Sequence, residues 1–110
     1  MKIDFNNLEI KEIKEFKGGV GELFLKKFED DTYKIMRSTL TVGSTIGSHI
    51  HEDDCEILYI LSGTGYALCD GEREELSEGV VHYCPRKSSH TVINTGENDL
   101  EMYAIVLKNL

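Results

Sequence analysis

The sequence predicts an all-β protein built as a sandwich or barrel. Turn-forming residues recur about every ten residues, the rhythm of short strands joined by tight connections. Asp70-Gly71 stands between two strand-like runs and is a strong hairpin signal, because both central residues of a two-residue turn take positive φ. No stretch keeps a helical apolar period long enough for a long helix.

The elements follow in order. Ile10, Ile13 and Phe16 recur at three-residue spacing, so the segment before Gly18-Gly19 allows a short helix. Val20–Phe28 and Tyr33–Val42 read as strands separated by Glu29-Asp30-Asp31. Ile57–Leu61 is apolar at every position, so it calls for cover on both faces, by a second sheet or a partner chain. Gly65–Cys69 and Glu72–Leu76 form the hairpin around Asp70-Gly71. Gly79–Cys84 and Thr91–Ile93 flank a turn at Pro85–Ser89, and Asn94-Thr95-Gly96 leads into a last strand near Glu101–Leu107.

At 110 residues the chain predicts one domain spanning 1–110. Lys and Arg number 12 against 20 Asp and Glu, a net charge of -8, which argues against nucleic-acid binding and anionic membrane surfaces. Three cysteines without Cys-x-x-Cys spacing fit free thiols in a reducing compartment. The N-terminus lacks the apolar core of a signal peptide, and a cytoplasmic location is expected.

Chemistry concentrates in the histidines. Side chains on a strand alternate faces, so His49 and His51 point the same way. Glu56 lies an odd step further on and joins them only if Glu52-Asp53-Asp54 breaks the strand; Leu58 and Ile60 then share its inward face. A lone His-x-His is more often a pair of surface histidines. Here Glu56 and His90 complete a set of three imidazoles and a carboxylate, suited to one divalent first-row ion: Mn, Fe, Co, Ni or Zn. On an octahedral ion such a set leaves two neighbouring positions, which favour a chelating oxygen ligand such as a carboxylate or an α-keto or α-hydroxy acid. The ion would act as Lewis acid, with oxygen chemistry also open to iron.

These residues carry a close resemblance to the cupin family. Its first motif reads here as Gly43, five residues, His49-Ile50-His51, four residues, Glu56, six residues, Gly63. The second reads as Gly79, five residues, Pro85, then Arg86-Lys87, two residues, His90, three residues, Asn94, with Lys87 where the family has glycine. The motifs span 43–63 and 79–94. The resemblance implies a double-stranded β-helix, or jelly-roll barrel, often dimeric. It places His49, His51, Glu56 and His90 as ligands of a metal in the bore, and Gly63, Gly79, Pro85 and Asn94 at turns. It does not fix the reaction, since small cupins include dioxygenases, decarboxylases, isomerases, lyases and binding modules.

Other residues are weaker candidates. Arg86 and Lys87 precede His90 in a loop expected at the barrel mouth, where two cations would attract an anionic substrate, although a solvated turn explains them as well. His82 is a candidate acid or base if it faces inward, with Cys84 on the same face, although a structural role is the commoner one. Cys55 is expected opposite Glu56, in the core or an interface. The functional expectation is a metal-dependent enzyme acting on a small polar or anionic metabolite. The alternative is a non-catalytic small-ligand binding or sensing module. A homodimer is expected from the two-faced apolar strand.

Overall fold

The computed structural model describes residues 1–110, folded into two antiparallel sheets. The strands are β1 (Lys11–Lys14), β2 (Glu22–Glu29), β3 (Tyr33–Leu40), β4 (Thr45–Ile50), β5 (Cys55–Ser62), β6 (Gly65–Cys69), β7 (Glu72–Leu76), β8 (Val81–Cys84), β9 (Ser89–Asn94) and β10 (Leu100–Leu107). One sheet runs β1-β2-β3-β10-β5-β8 and the other β4-β9-β6-β7. The two face each other as a jelly-roll barrel, so the all-β expectation holds.

Period-two burial builds the core. Along β10 buried and half-buried residues alternate throughout, placing Leu100, Met102, Ala104 and Val106 inward. Neighbouring strands repeat the pattern in register: Ala104 lies opposite Leu58, and Met102 opposite Ile60. The smaller sheet answers with Ile46, Ala67, Leu76 and Val92. Asp70 (φ 49) and Gly71 (φ 83) make the expected hairpin turn between β6 and β7.

The N-terminal segment departs from the expected helix. Lys11–Lys14 is an edge strand paired with β2, with Ile13 opposite Leu23. Glu15 and Lys17 take left-handed backbone, and the segment's helical geometry is limited to two 3₁₀ turns, at Phe5–Asn7 and Phe16–Gly18. Sheet pairing to β2 overrides the weak three-residue spacing. The turn packs tightly on β4: a side chain at Gly47 would run into the Lys17 carbonyl, so glycine there lets Phe16 and Lys17 close over the barrel.

The outer face of Ile57–Leu61 also differs from one of its two expected forms. The second sheet covers only the inner face. On the outer face Ile57 and Tyr59 remain 37% and 44% exposed, and on β8 Val81 and Tyr83 remain 55% and 52% exposed. No helix is long and apolar enough to cross a membrane.

Asn94, 3% exposed, ties the sheets together at the end of β9. Its amide donates to the carbonyls of Leu40, Thr41 and Asn98 at 3.0, 3.2 and 3.0 Å, and its oxygen accepts from Gly96 N–H at 2.9 Å. Removing this side chain leaves several buried groups unpaired at about 1–3 kcal/mol each, partly relieved by relaxation. Asn94→Ala should therefore cost about 3 kcal/mol, read as a lower urea midpoint with an unchanged m-value.

Candidate metal centre

The sequence folds so that four donors meet in the barrel. His49 lies near the end of β4 and faces His90 on β9 as its cross-strand partner. His51 follows β4 directly and is pinned to the Pro85–Ser89 loop: its N–H donates to the Ser88 carbonyl at 3.1 Å, and its carbonyl accepts from Lys87 N–H at 2.6 Å. Lys87 has φ 74, so it adopts the left-handed turn geometry that a glycine would take more easily. Residues 52–54 leave the strand as expected, and β5 restarts with Glu56 inward, its side chain 12% exposed.

The donor atoms of His49, His51, Glu56 and His90 all lie within 4.8 Å of one another. His90 Nε2 stands 3.1 Å from His49 Nε2, 3.1 Å from His51 Nε2 and 3.0 Å from Glu56 Oε1. His51 Nε2 is 3.4 Å from Glu56 Oε1. Donors about 2.1 Å from one ion, at neighbouring corners of an octahedron, are themselves about 3.0 Å apart, so this set fits a divalent ion.

The far side of each ring is held. His49 Nδ1 donates to the Gly47 carbonyl at 2.8 Å, and His51 Nδ1 donates to Asp54 Oδ1 at 2.6 Å. With those protons on Nδ1, both Nε2 atoms carry free lone pairs toward the centre. His90 Nδ1 lies 2.9 Å from His82 Nε2.

The electrostatics are strongly coupled. Burial alone would raise the Glu56 pKa, but His51 and His90, which in their protonated forms donate from Nε2 to the carboxylate and place positive charge beside it, lower it to about 2. A hydrogen bond to Glu56 raises His51, against the opposing effect of burial, with help from Asp54. Burial lowers His49, partly offset by the Gly47 carbonyl. The carboxylate thus stays ionised and available as a ligand across the neutral range.

The four residues line a cavity of about 250 Å³. Its remaining wall is largely apolar, including Leu25, Met36 and Met102, with Lys17 and Lys34 also among the lining residues. Arg86 and Lys87 do not line it. They are exposed, and Arg86 donates to the Leu110 carbonyl at 2.7 Å, because the turn after Pro85 directs both outward. His82 and Cys84 do face inward, at 1% and 0% exposure, but neither lines the cavity. His82 sits behind His90, with its Nδ1 2.7 Å from Glu74 Oε1. Burial, then Cys69 close by, pushes the Cys84 thiol up to about 12, so it is no nucleophile. Cys55 is buried as expected. Asp54, Glu74, Lys17 and Lys34 escape sequence reasoning. Asp54 had a signal, an acid three residues beyond a candidate ligand; the others come together only through sheet register.

Comparison with known proteins agrees with this geometry. The Cupin domain family matches residues 36–106, which contain all four donors. An oxalate-binding protein of Thermotoga maritima is 32% identical over 101 residues, covering 86% of this chain and 84% of that one. A crystal structure from the same organism, described as a predicted oxalate decarboxylase, superposes with a TM-score of 0.92 at 29% identity, covering 98% of this chain and 99% of the other. The cupin domain of Cnp3 from Schizosaccharomyces pombe shares the fold, with a TM-score of 0.80 at 11% identity over 98% of this chain and 74% of that one. With both histidine motifs, the two-sheet barrel and these relatives in agreement, the chain belongs to the cupin family.

Proposed function

We propose that the protein captures a small carboxylate at a divalent transition-metal ion held by His49, His51, Glu56 and His90. The convergence of these four donors in the wall of a mostly apolar cavity carries this reading. Such an ion supplies Lewis acidity and open positions for oxygen ligands. The chain's own residues do the rest. With one carboxylate among four donors, the charge on the ion is only partly neutralised, so an anionic ligand is favoured. Lys17 and Lys34 add positive charge at the same cavity in a protein of net charge -8. The apolar wall accommodates the body of the ligand and limits water. The relative named an oxalate-binding protein makes oxalate the first compound to assay.

A second reading, metal-dependent turnover of the bound carboxylate, is favoured by the three-histidine, one-glutamate set, which leaves room at the ion for substrate or dioxygen. Against it stands the cavity wall. Its carboxylates are Asp54, committed to His51, and Glu56, one of the donors, so neither is a free general base. Assays for loss of carboxylate with release of product separate turnover from capture.

A second copy of this chain is the occupant we assign to the exposed face of Ile57, Tyr59, Val81 and Tyr83. It would cover the strand that is apolar on both sides.

Three outcomes test these proposals. Metal-free protein titrated with Mn or Zn to a hundred times Kd should gain about 2.7 kcal/mol, roughly a 10 °C rise in Tm, and His49→Ala should abolish the rise. A wild-type protein with no shift for any of the five ions would remove the metal site. Lys17→Gln and Lys34→Gln should each weaken oxalate binding to the loaded protein about tenfold by calorimetry, equal to about 1.4 kcal/mol. Arg86→Ala and Lys87→Ala should leave it unchanged. In sedimentation the wild type should run as twice 12.4 kDa, and Tyr59→Lys should shift it to the single chain. A wild type that runs only as the single chain refutes the dimer.

A further inference from the structure

His82 is a polar side chain in a place that suits an aliphatic one. It lies on β8 opposite Leu58, its side chain has 0% exposure, and it points into the space between the sheets. An imidazole there is costly unless both nitrogens are paired. Both are: Nδ1 is 2.7 Å from Glu74 Oε1, and Nε2 is 2.9 Å from His90 Nδ1. The rings of His82 and His90 are nearly parallel, 22° apart, and their centroids stand 5.2 Å from each other, as two imidazoles joined edge to edge by that bond require. Glu74 projects from β7, and its carboxylate is 45% exposed.

Counting protons along this chain gives it a direction. An ionised carboxylate only accepts, so Nδ1 of His82 carries the proton that Glu74 receives. In neutral His82 the other nitrogen, Nε2, is then an acceptor. His90 Nδ1 must be the donor to it, which leaves His90 Nε2 as a bare lone pair among the Nε2 atoms of His49 and His51 and the Glu56 carboxylate. The reverse order would put a proton on the nitrogen that faces the ion. His49 and His51 reach the same state with one partner each, a carbonyl and a carboxylate. His90 is 1% exposed and uses two residues to reach a carboxylate at the surface.

We propose that Glu74 and His82 are positioning residues of the metal centre. They hold His90 with its proton on Nδ1 and its Nε2 lone pair toward the ion, and their negative end makes that nitrogen a better donor. The inference rests on the reading of His90 as a ligand.

The test is zinc affinity of the metal-free full chain, by competition with a chromophoric chelator. His82→Phe keeps a ring in the space and removes the acceptor, and should lower affinity roughly 10- to 100-fold. His82→Gln retains an oxygen for His90 and an N–H for Glu74, and should recover most of that loss. A role confined to packing would give the opposite order, because phenylalanine fills the site better than glutamine. Glu74→Ala, at a half-exposed position that threatens the fold little, should lower affinity several-fold, and it carries the test if His82→Phe does not fold. Affinity within twofold of wild type in His82→Phe, or in Glu74→Ala, would overturn the proposal while leaving the metal site intact. A wild type that takes up no zinc or other divalent ion would remove both.

Discussion

One constraint organises this protein: three imidazole nitrogens and a carboxylate oxygen must point at one spot between two sheets. Lone pairs and a negative charge so arranged repel one another unless protons or a cation lie between them. The arrangement therefore has to be imposed by the rest of the fold. His49 and His90 are fixed by the pairing of β4 with β9. Glu56 comes from the other sheet, so closure of the barrel sets its distance from the histidines. The apolar layer of Leu58, Ile60, Met102 and Val92 beside them supplies the burial that holds the two sheets together.

Hydrogen-bond partners on the outer side then orient each ring. The Gly47 carbonyl and Asp54 reach their histidines directly, whereas His82 and Glu74 reach His90 in series. The buried polar groups of the barrel follow the same rule. No buried side-chain nitrogen or oxygen lacks a partner, and Asn94 engages four backbone groups on its own. In a small barrel whose apolar core also holds several buried polar side chains, such completeness is what keeps polar burial from outweighing the hydrophobic gain.

Much of this was legible in the chain. Period two placed Leu58 and Ile60 inward, Asp70-Gly71 marked its hairpin, and the acidic run 52–54 provided the break that Glu56 needs. These are local signals, read over a few residues. What was missed is non-local or weak. Ile10, Ile13 and Phe16 suggested a helix, but an edge pairing with β2 fixed that segment as strand and 3₁₀ turn. Arg86 and Lys87 adjoin His90 in sequence yet point outward, while Lys17 and Lys34 reach the cavity from the N-terminal turn and β3. Glu74 meets His82 only because β7 folds back beside β8. Proximity in sequence was a poor guide to proximity at the site wherever a turn intervened.

The two faces of β5 divide the labour of the molecule. Its inward residues, Glu56, Leu58 and Ile60, belong to the donor set and the core. Its outward residues, Ile57 and Tyr59, lie beside Val81 and Tyr83 on β8, whose own inward residue is His82. The strand pair that presents an apolar surface to the exterior is therefore the one that supports both Glu56 and the partner of His90. A second chain seated on that surface would stiffen β5 and β8 together and narrow the range over which the four donors move. Were both to occur, assembly and metal affinity would be linked through the shared strands, and whatever factor one exerted on the other would be returned in equal measure.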